Sequence, residues 1–143
     1  MGVLGKVYYP VQFFSKKIFY HPEFENDLRD LIEKSGFERK FKPLFKQRLD
    51  FLEERMSKCT EKKDWFEKLK KTDDLFAIRF NKQNKNIRII FTFTDSSGEQ
   101  IAVLLCNFEE KGKKDYTKAV ELAAKRRIEL LRGFRIEEED RDG

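Results

Sequence analysis

Two short apolar runs, Leu75-Phe76-Ala77-Ile78-Arg79-Phe80 and Ile87-Arg88-Ile89-Ile90-Phe91-Thr92-Phe93, flank the polar stretch Asn81-Lys82-Gln83-Asn84-Lys85-Asn86. Both runs are rich in β-branched and aromatic residues, and together they predict a β-hairpin. A two-residue loop at Gln83-Asn84 would pair Phe80 with Ile87, Arg79 with Arg88, Ile78 with Ile89 and Phe76 with Phe91. The apolar pairs then share one face, and the two arginines lie side by side on the other. Like charges directly opposite on a sheet repel, so this pattern calls for an anion between them. Phosphate is the anion expected, because guanidinium forks bind it in bidentate fashion.

The flanking segments supply the rest of a fold. Residues 6–14 read as extended, with Pro10 restricting them to an edge strand or a loop. Lys17-Ile18-Phe19-Tyr20-His21 is a short strand candidate. Pro22 opens a helix with Glu23 and Glu25 in its first turn, Phe24, Leu28, Leu31 and Ile32 at helical spacing, and Gly36 as its stop. A longer amphipathic helix is expected over about 38–57, with the stripe Phe41, Phe45, Leu49, Leu52 and Met56. Trp65, Phe66 and Leu69 fall in a connecting segment. Ser96-Ser97-Gly98 is a turn, and Ile101 to Phe108 is apolar on both faces, as an interior strand must be. Lys111-Gly112-Lys113-Lys114-Asp115-Tyr116 reads as a basic loop before a helix at 117–132. The order gives an α+β fold: a curved antiparallel sheet of three to five strands, two N-terminal helices packed on one face, and a C-terminal helix. The face opposite the helices is expected to present Ala77, Arg79, Arg88, Ile90, Thr92 and Thr94 to solvent or a ligand. The expected organisation is a single domain over 1–136, of which 1–16 form an N-terminal extension, followed by a disordered acidic tail at 137–143.

Charge is unevenly spread. The chain carries a net +5, but Glu137 to Gly143 hold five acids and one arginine, which leaves +9 on the body. A basic body favours a polyanionic partner. Cys59 and Cys106 stand on unrelated segments, with no disulfide or metal-ligand spacing, and His21 is the sole histidine. Histidine pairs and His-rich metal sites are therefore excluded. His21 itself reads as a structural strand-end residue, and no glycine pattern cradles a nucleotide phosphate. No metal and no cofactor is expected. No run approaches the ~20 apolar residues of a membrane span, and the N-terminus has no signal-peptide pattern. A reducing cytoplasm fits.

The groups left for chemistry are cationic. Arg79 and Arg88 sit on the sheet face, and Lys111, Lys113 and Lys114 precede Tyr116 on the following loop; Lys82 and Lys85 flank the hairpin tip. An aromatic among cations suits single-stranded nucleic acid: the ring stacks on a base and the cations hold the backbone. RNA brings its own nucleophile, the 2′-hydroxyl, so a protein that orients it and neutralises the phosphorane charge needs no metal. The competing reading is a solvated basic face and loop.

These residues resemble the RelE/ParE superfamily of type II toxin–antitoxin toxins, in particular its HigB-like and phage Gp49-like branches. The matching stretch runs from Trp65-Phe66-Glu67-Lys68-Leu69-Lys70 through the two arginine strands, then Val103-Leu104-Leu105-Cys106-Asn107-Phe108 with Lys111, to Ala119. It covers about 65–131. The resemblance implies a RelE-like fold and an mRNA interferase acting with the ribosome. Arg88 would bind the scissile phosphate, and Arg79, Lys111 and Tyr116 would complete the catalytic set. Lys113, Lys114, Lys82 and Lys85 would hold RNA. It also implies a cognate antitoxin, of helix-turn-helix type. Glu109 and Glu110 stand where relatives often place lysine, and Ala77 where some carry a catalytic lysine. Two other readings remain open on the same fold: a ParE-like inhibitor of DNA gyrase, and a catalytically degenerate antitoxin-binding protein.

Overall fold

The arginine hairpin organises the sheet. In the computed structural model, which describes residues 2–82 and 84–137 and only the main chain of Lys82, β4 (Phe76–Lys82) and β5 (Lys85–Ser96) are antiparallel. The register is Phe76–Phe91, Ile78–Ile89, Arg79–Arg88 and Phe80–Ile87, closing with Lys82–Lys85. Gln83 lies outside the described residues, and Asn84 takes the left-handed conformation, φ 64°, that a two-residue loop demands. The next turn follows the same rule. Ser96 pairs with Glu99, and Ser97 (φ 52°) and Gly98 (φ 84°) both have the positive φ of a mirror-type hairpin turn.

The other elements are β1 (Gly2–Leu4), β2 (Ile18–Tyr20), α1 (Phe24–Ser35), α2 (Glu38–Arg55), a 3-10 segment (Met56–Glu61), β3 (Phe66–Lys68), β6 (Glu99–Glu109), α3 (Lys113–Leu131) and β7 (Phe134–Ile136). The fold is α+β, with five strands in the order β2-β6-β5-β4-β3. β3 to β6 are antiparallel, while β2 runs parallel to β6, so the sheet is mixed where an antiparallel one was expected. A separate parallel pair, β1 with β7, joins the two ends of the described chain. Residues 6–14 form no strand, and the only pairing there is a bridge between Val7 and Phe13.

Each face of the sheet has its own core. On one face Phe24, Leu28 and Ile32 of α1 and Phe41, Phe45, Leu49 and Leu52 of α2 pack on Ile78, Phe80, Ile87, Ile89, Phe91, Ala102 and Leu104. On the other, Ala119, Ala123 and Leu130 of α3 cover Ala77, Ile90, Ile101, Val103, Leu105 and Cys106. This corrects the expectation of an open second face: Ala77, Ile90 and Thr92 are buried, Thr92 donating to the Asp74 carbonyl at 2.7 Å. A strand apolar on both faces needs cover on both, and the small residues of α3 let it approach closely. Arg126 fastens the cover. It donates to Leu105 O (2.7 Å) and meets Asp27 (3.0 Å) and Glu23 (3.3 Å).

One irregularity decides which side chains join the arginines. Ile90 pairs with Cys106 but Phe91 pairs with Leu104, so β6 carries one extra residue at Leu105. A bulge of this kind shifts the period-two alternation by one. Beyond it Arg88 pairs with Phe108. The consequence is that Phe108 and Glu110, rather than Asn107 and Glu109, turn to the arginine side.

Candidate functional site

α3 covers only part of its face, and beside its first turn an open cleft of about 550 Å³ remains. Its walls are Glu67 and Leu69, Ala77 and Arg79 of β4, Asn86, Arg88 and Ile90 of β5, Phe108 and Glu110, and Lys111, Gly112, Lys113 and Tyr116. Arg79, Arg88, Lys111, Lys113 and Tyr116 are thus brought together. Lys114 and Lys85 do not line the cleft; Lys114 is exposed in the first turn of α3. The side chain of Lys82 lies outside what the structure describes.

The main chain holds these groups firmly. Arg79 N donates to Trp65 O at 2.8 Å, and Arg79 O accepts from Arg48 Nε at 3.1 Å on the far side of the sheet. Glu110 N donates to Asn86 O at 2.8 Å, extending the β5–β6 ladder by one bond. Residues 113–116, expected as loop, are the first turn of α3. Asp115 produces this turn: its Oδ2 accepts from Lys111 N (2.8 Å) and Gly112 N (3.0 Å), satisfying donors that a helix start leaves free. Lys113 and Tyr116 are therefore fixed by helical geometry.

The repulsion between the arginines is offset by the chain's own carboxylates. Arg79 Nη2 lies 2.8 Å from Glu67 Oε1, and Arg88 Nε lies 3.4 Å from Glu110 Oε1. Arg88 Nη1 also donates to Asn81 Oδ1 at 2.8 Å. Arg88 is the more enclosed of the two, with 14% of its side chain exposed against 31% for Arg79. Burial lowers the Arg88 pKa; Glu110 and Glu67 oppose that shift and Arg79 adds to it. The Tyr116 phenol is raised, first by burial and then by Glu67 and Glu110. At neutral pH the cleft thus offers guanidinium and ammonium groups, one phenolic O–H donor and two carboxylates.

Glu67 joins the site from β3, a strand that sequence pattern alone does not mark. Phe66 packs into the first core, so strand alternation sends Glu67 to the arginine face, where it pairs with Ala77 next to Arg79. The signal existed, but it needs β3 recognised as a strand. His21 lies away from the cleft. Its Nδ1 accepts from Glu23 N (3.2 Å) and its Nε2 faces Glu129 at 3.4 Å, a carboxylate that arrives from α3, 108 residues later.

A family model described as phage derived protein Gp49-like (DUF891) matches residues 31–128. The chain belongs to the phage-derived Gp49-like family. The Gp49-like match runs from within α1 to within α3 and includes every residue lining the cleft. The Gp49-like family is RelE/toxin-like, and membership points to the toxin of a toxin–antitoxin module, for which a cognate antitoxin is the implied partner. No curated protein and no solved structure matches the chain. Among the described residues, no helix is long and apolar enough to cross a membrane.

Proposed function

We propose that this Gp49-like protein is a toxin that cleaves messenger RNA, on the ribosome and in the cytoplasm, by attack of a 2′-hydroxyl on its neighbouring phosphate. The observation that supports this reading is the convergence of Arg79, Arg88, Lys111, Lys113 and Tyr116 on one open cleft. Arg88 grips the scissile phosphate, and Arg79 and Lys111 neutralise the charge that develops on the phosphorane. Tyr116 stacks on a base or delivers a proton to the departing 5′-oxygen. Lys113, Lys114, Lys85 and Lys82 hold the strand by its backbone. A cleft this open does not align the reacting atoms by itself, so the ribosome serves to present the messenger in a strained, in-line geometry. The partner that restrains the toxin is an antitoxin of helix-turn-helix type.

Production of the protein in growing cells tests the reading: translation should stop and messenger should be cut, and Arg88→Ala should abolish both. Full toxicity of a folded Arg88→Ala protein would overturn it.

One observation favours a second reading. Both arginines already carry carboxylate partners, as they would in a RelE-fold protein that binds antitoxin but has lost catalysis. Intact messenger on stalled ribosomes with the protein bound would decide for this alternative. A DNA-damage response with uncut messenger would decide for gyrase inhibition.

A further inference from the structure

A phosphate takes two parallel N–H bonds from one edge of a guanidinium, either Nε with one Nη or the two Nη together. In Arg88, Nε faces Glu110 and Nη1 donates to Asn81. A phosphate that grips Arg88 along its Nε edge meets Glu110 there, and the two anions compete for that edge. Glu110 is the more loosely held, at 3.4 Å against 2.8 Å for Asn81, and phosphate repels it. Glu110 does not leave the site when displaced, because its main-chain N–H stays bonded to Asn86 O at 2.8 Å. Its carboxylate stays on the wall of the cleft, beside the anion that Arg88 would hold.

The step also needs a proton acceptor, and the cleft offers few. Guanidinium and ammonium groups have no free lone pair. The Tyr116 phenol is a donor, since burial and the two glutamates keep it protonated. Glu67 is clamped to Arg79 at 2.8 Å, the shortest ion pair of the cleft. Glu110 is the carboxylate that phosphate binding sets free.

We propose that Glu110 accepts the proton of the attacking 2′-hydroxyl, an assignment that rests on the ribonuclease reading above. The 2′-oxygen bonds to phosphorus as its proton passes to the Glu110 carboxylate. The P–O5′ bond breaks, and the 5′-oxygen takes the phenolic proton of Tyr116. The products are a 2′,3′-cyclic phosphate and a 5′-hydroxyl; Glu110 ends protonated and Tyr116 ends as phenolate, and exchange with water restores both.

The test measures single-turnover cleavage of ribosome-bound messenger for the wild type, Glu110→Gln, Glu110→Asp and Glu67→Gln. Binding is followed with the same messenger carrying a single 2′-deoxy nucleotide at the cleavage point. Glu110→Gln should lose about 100-fold or more in rate. It should bind the 2′-deoxy messenger as tightly as wild type or more so. Glu110→Asp should recover part of the rate, and Glu67→Gln should lose far less of it than Glu110→Gln. Cleavage by Glu110→Gln at the wild-type rate would overturn the assignment while leaving the ribonuclease reading in place. So would a rate loss matched by an equal loss of binding. A wild-type protein that cuts no messenger would overturn the ribonuclease reading, and this assignment with it.

Discussion

Arg48 Nε donates to the carbonyl of Arg79 at 3.1 Å, so one arginine, buried behind the sheet, fixes the main chain of the one that lines the cleft. The Arg48 guanidinium lies 4.3 Å over the Trp65 ring and 5.5 Å over the Phe80 ring. Burial lowers its pKa to about 10, which leaves it charged at neutral pH. Arg48→Leu should destabilise the fold by about 1–3 kcal/mol, since it removes a charged hydrogen bond from a half-buried carbonyl. Urea unfolding measures this. A change within about 0.5 kcal/mol, the scatter of neutral surface substitutions, would show that the contact contributes little.

Tyr116 offers a ring and a proton, and two substitutions separate them. Tyr116→Phe should keep RNA affinity and lower the cleavage rate. Tyr116→Ala should also weaken binding by about 1–3 kcal/mol, the range for one stacked base. Fluorescence anisotropy with uncleavable RNA reads the first quantity and single-turnover cleavage the second. Equal cleavage by Tyr116→Phe and wild type would assign the leaving-group proton elsewhere.

Arg126 ties α3 to β6 through Leu105 O and to α1 through Glu23 and Asp27. The arginine is buried but its carboxylate partners are largely exposed, so solvent screens the ionic part. Arg126→Met should cost about 2–3 kcal/mol, chiefly from the lost bond to a buried carbonyl. The same unfolding experiment checks it, and a neutral result would mean that α3 is held by packing alone.

His21 makes stability depend on pH. Burial lowers its pKa against the upward pull of Glu129, with Arg126 also lowering it and Glu23 raising it. In the unfolded chain the imidazole titrates near its ordinary value of about 6.5. Between the depressed folded value and that one, the unfolded state binds more protons, so stability is fully present above about pH 6.5 and declines as the solution is acidified. The thermal midpoint should therefore drop more steeply from pH 7 toward pH 5 in wild type than in His21→Gln. Parallel curves would contradict this.

The parts of the fold that were readable are those whose geometry is local. The β4–β5 register follows from a two-residue loop and strict alternation, and it places Arg79 opposite Arg88 as the residues predict. The limits of α1 follow from Pro22 and from Gly36, which caps the helix at φ 71°. What escaped depends on partners distant in the chain. β1 and β7 are three residues each and acquire meaning only by pairing with one another. β3 is equally short, and with it the placement of Glu67 was lost. The first turn of α3 resembles a loop in sequence because its lysines mask a start that Asp115 holds. The bulge at Leu105 leaves no compositional trace, yet it swaps Asn107 and Glu109 for Phe108 and Glu110 as neighbours of the arginines. Arg79, Arg88, Lys111 and Lys113 line one cleft, Lys85 and Lys114 do not, and the carboxylates that pair with the two arginines come from strand placements that local pattern does not give.

The β1–β7 pair makes the chain a closed belt, buckled where Gly2 meets Phe134 and Leu4 meets Ile136. The buckle is reinforced by Glu137, whose N–H reaches Leu4 O at 2.9 Å and whose carboxylate accepts from Lys6 N at 3.0 Å. Protease trimming at either end would unfasten the rear of α3, whose first turn forms one wall of the cleft, so damage at an extremity would be transmitted along that helix to the arginine cleft.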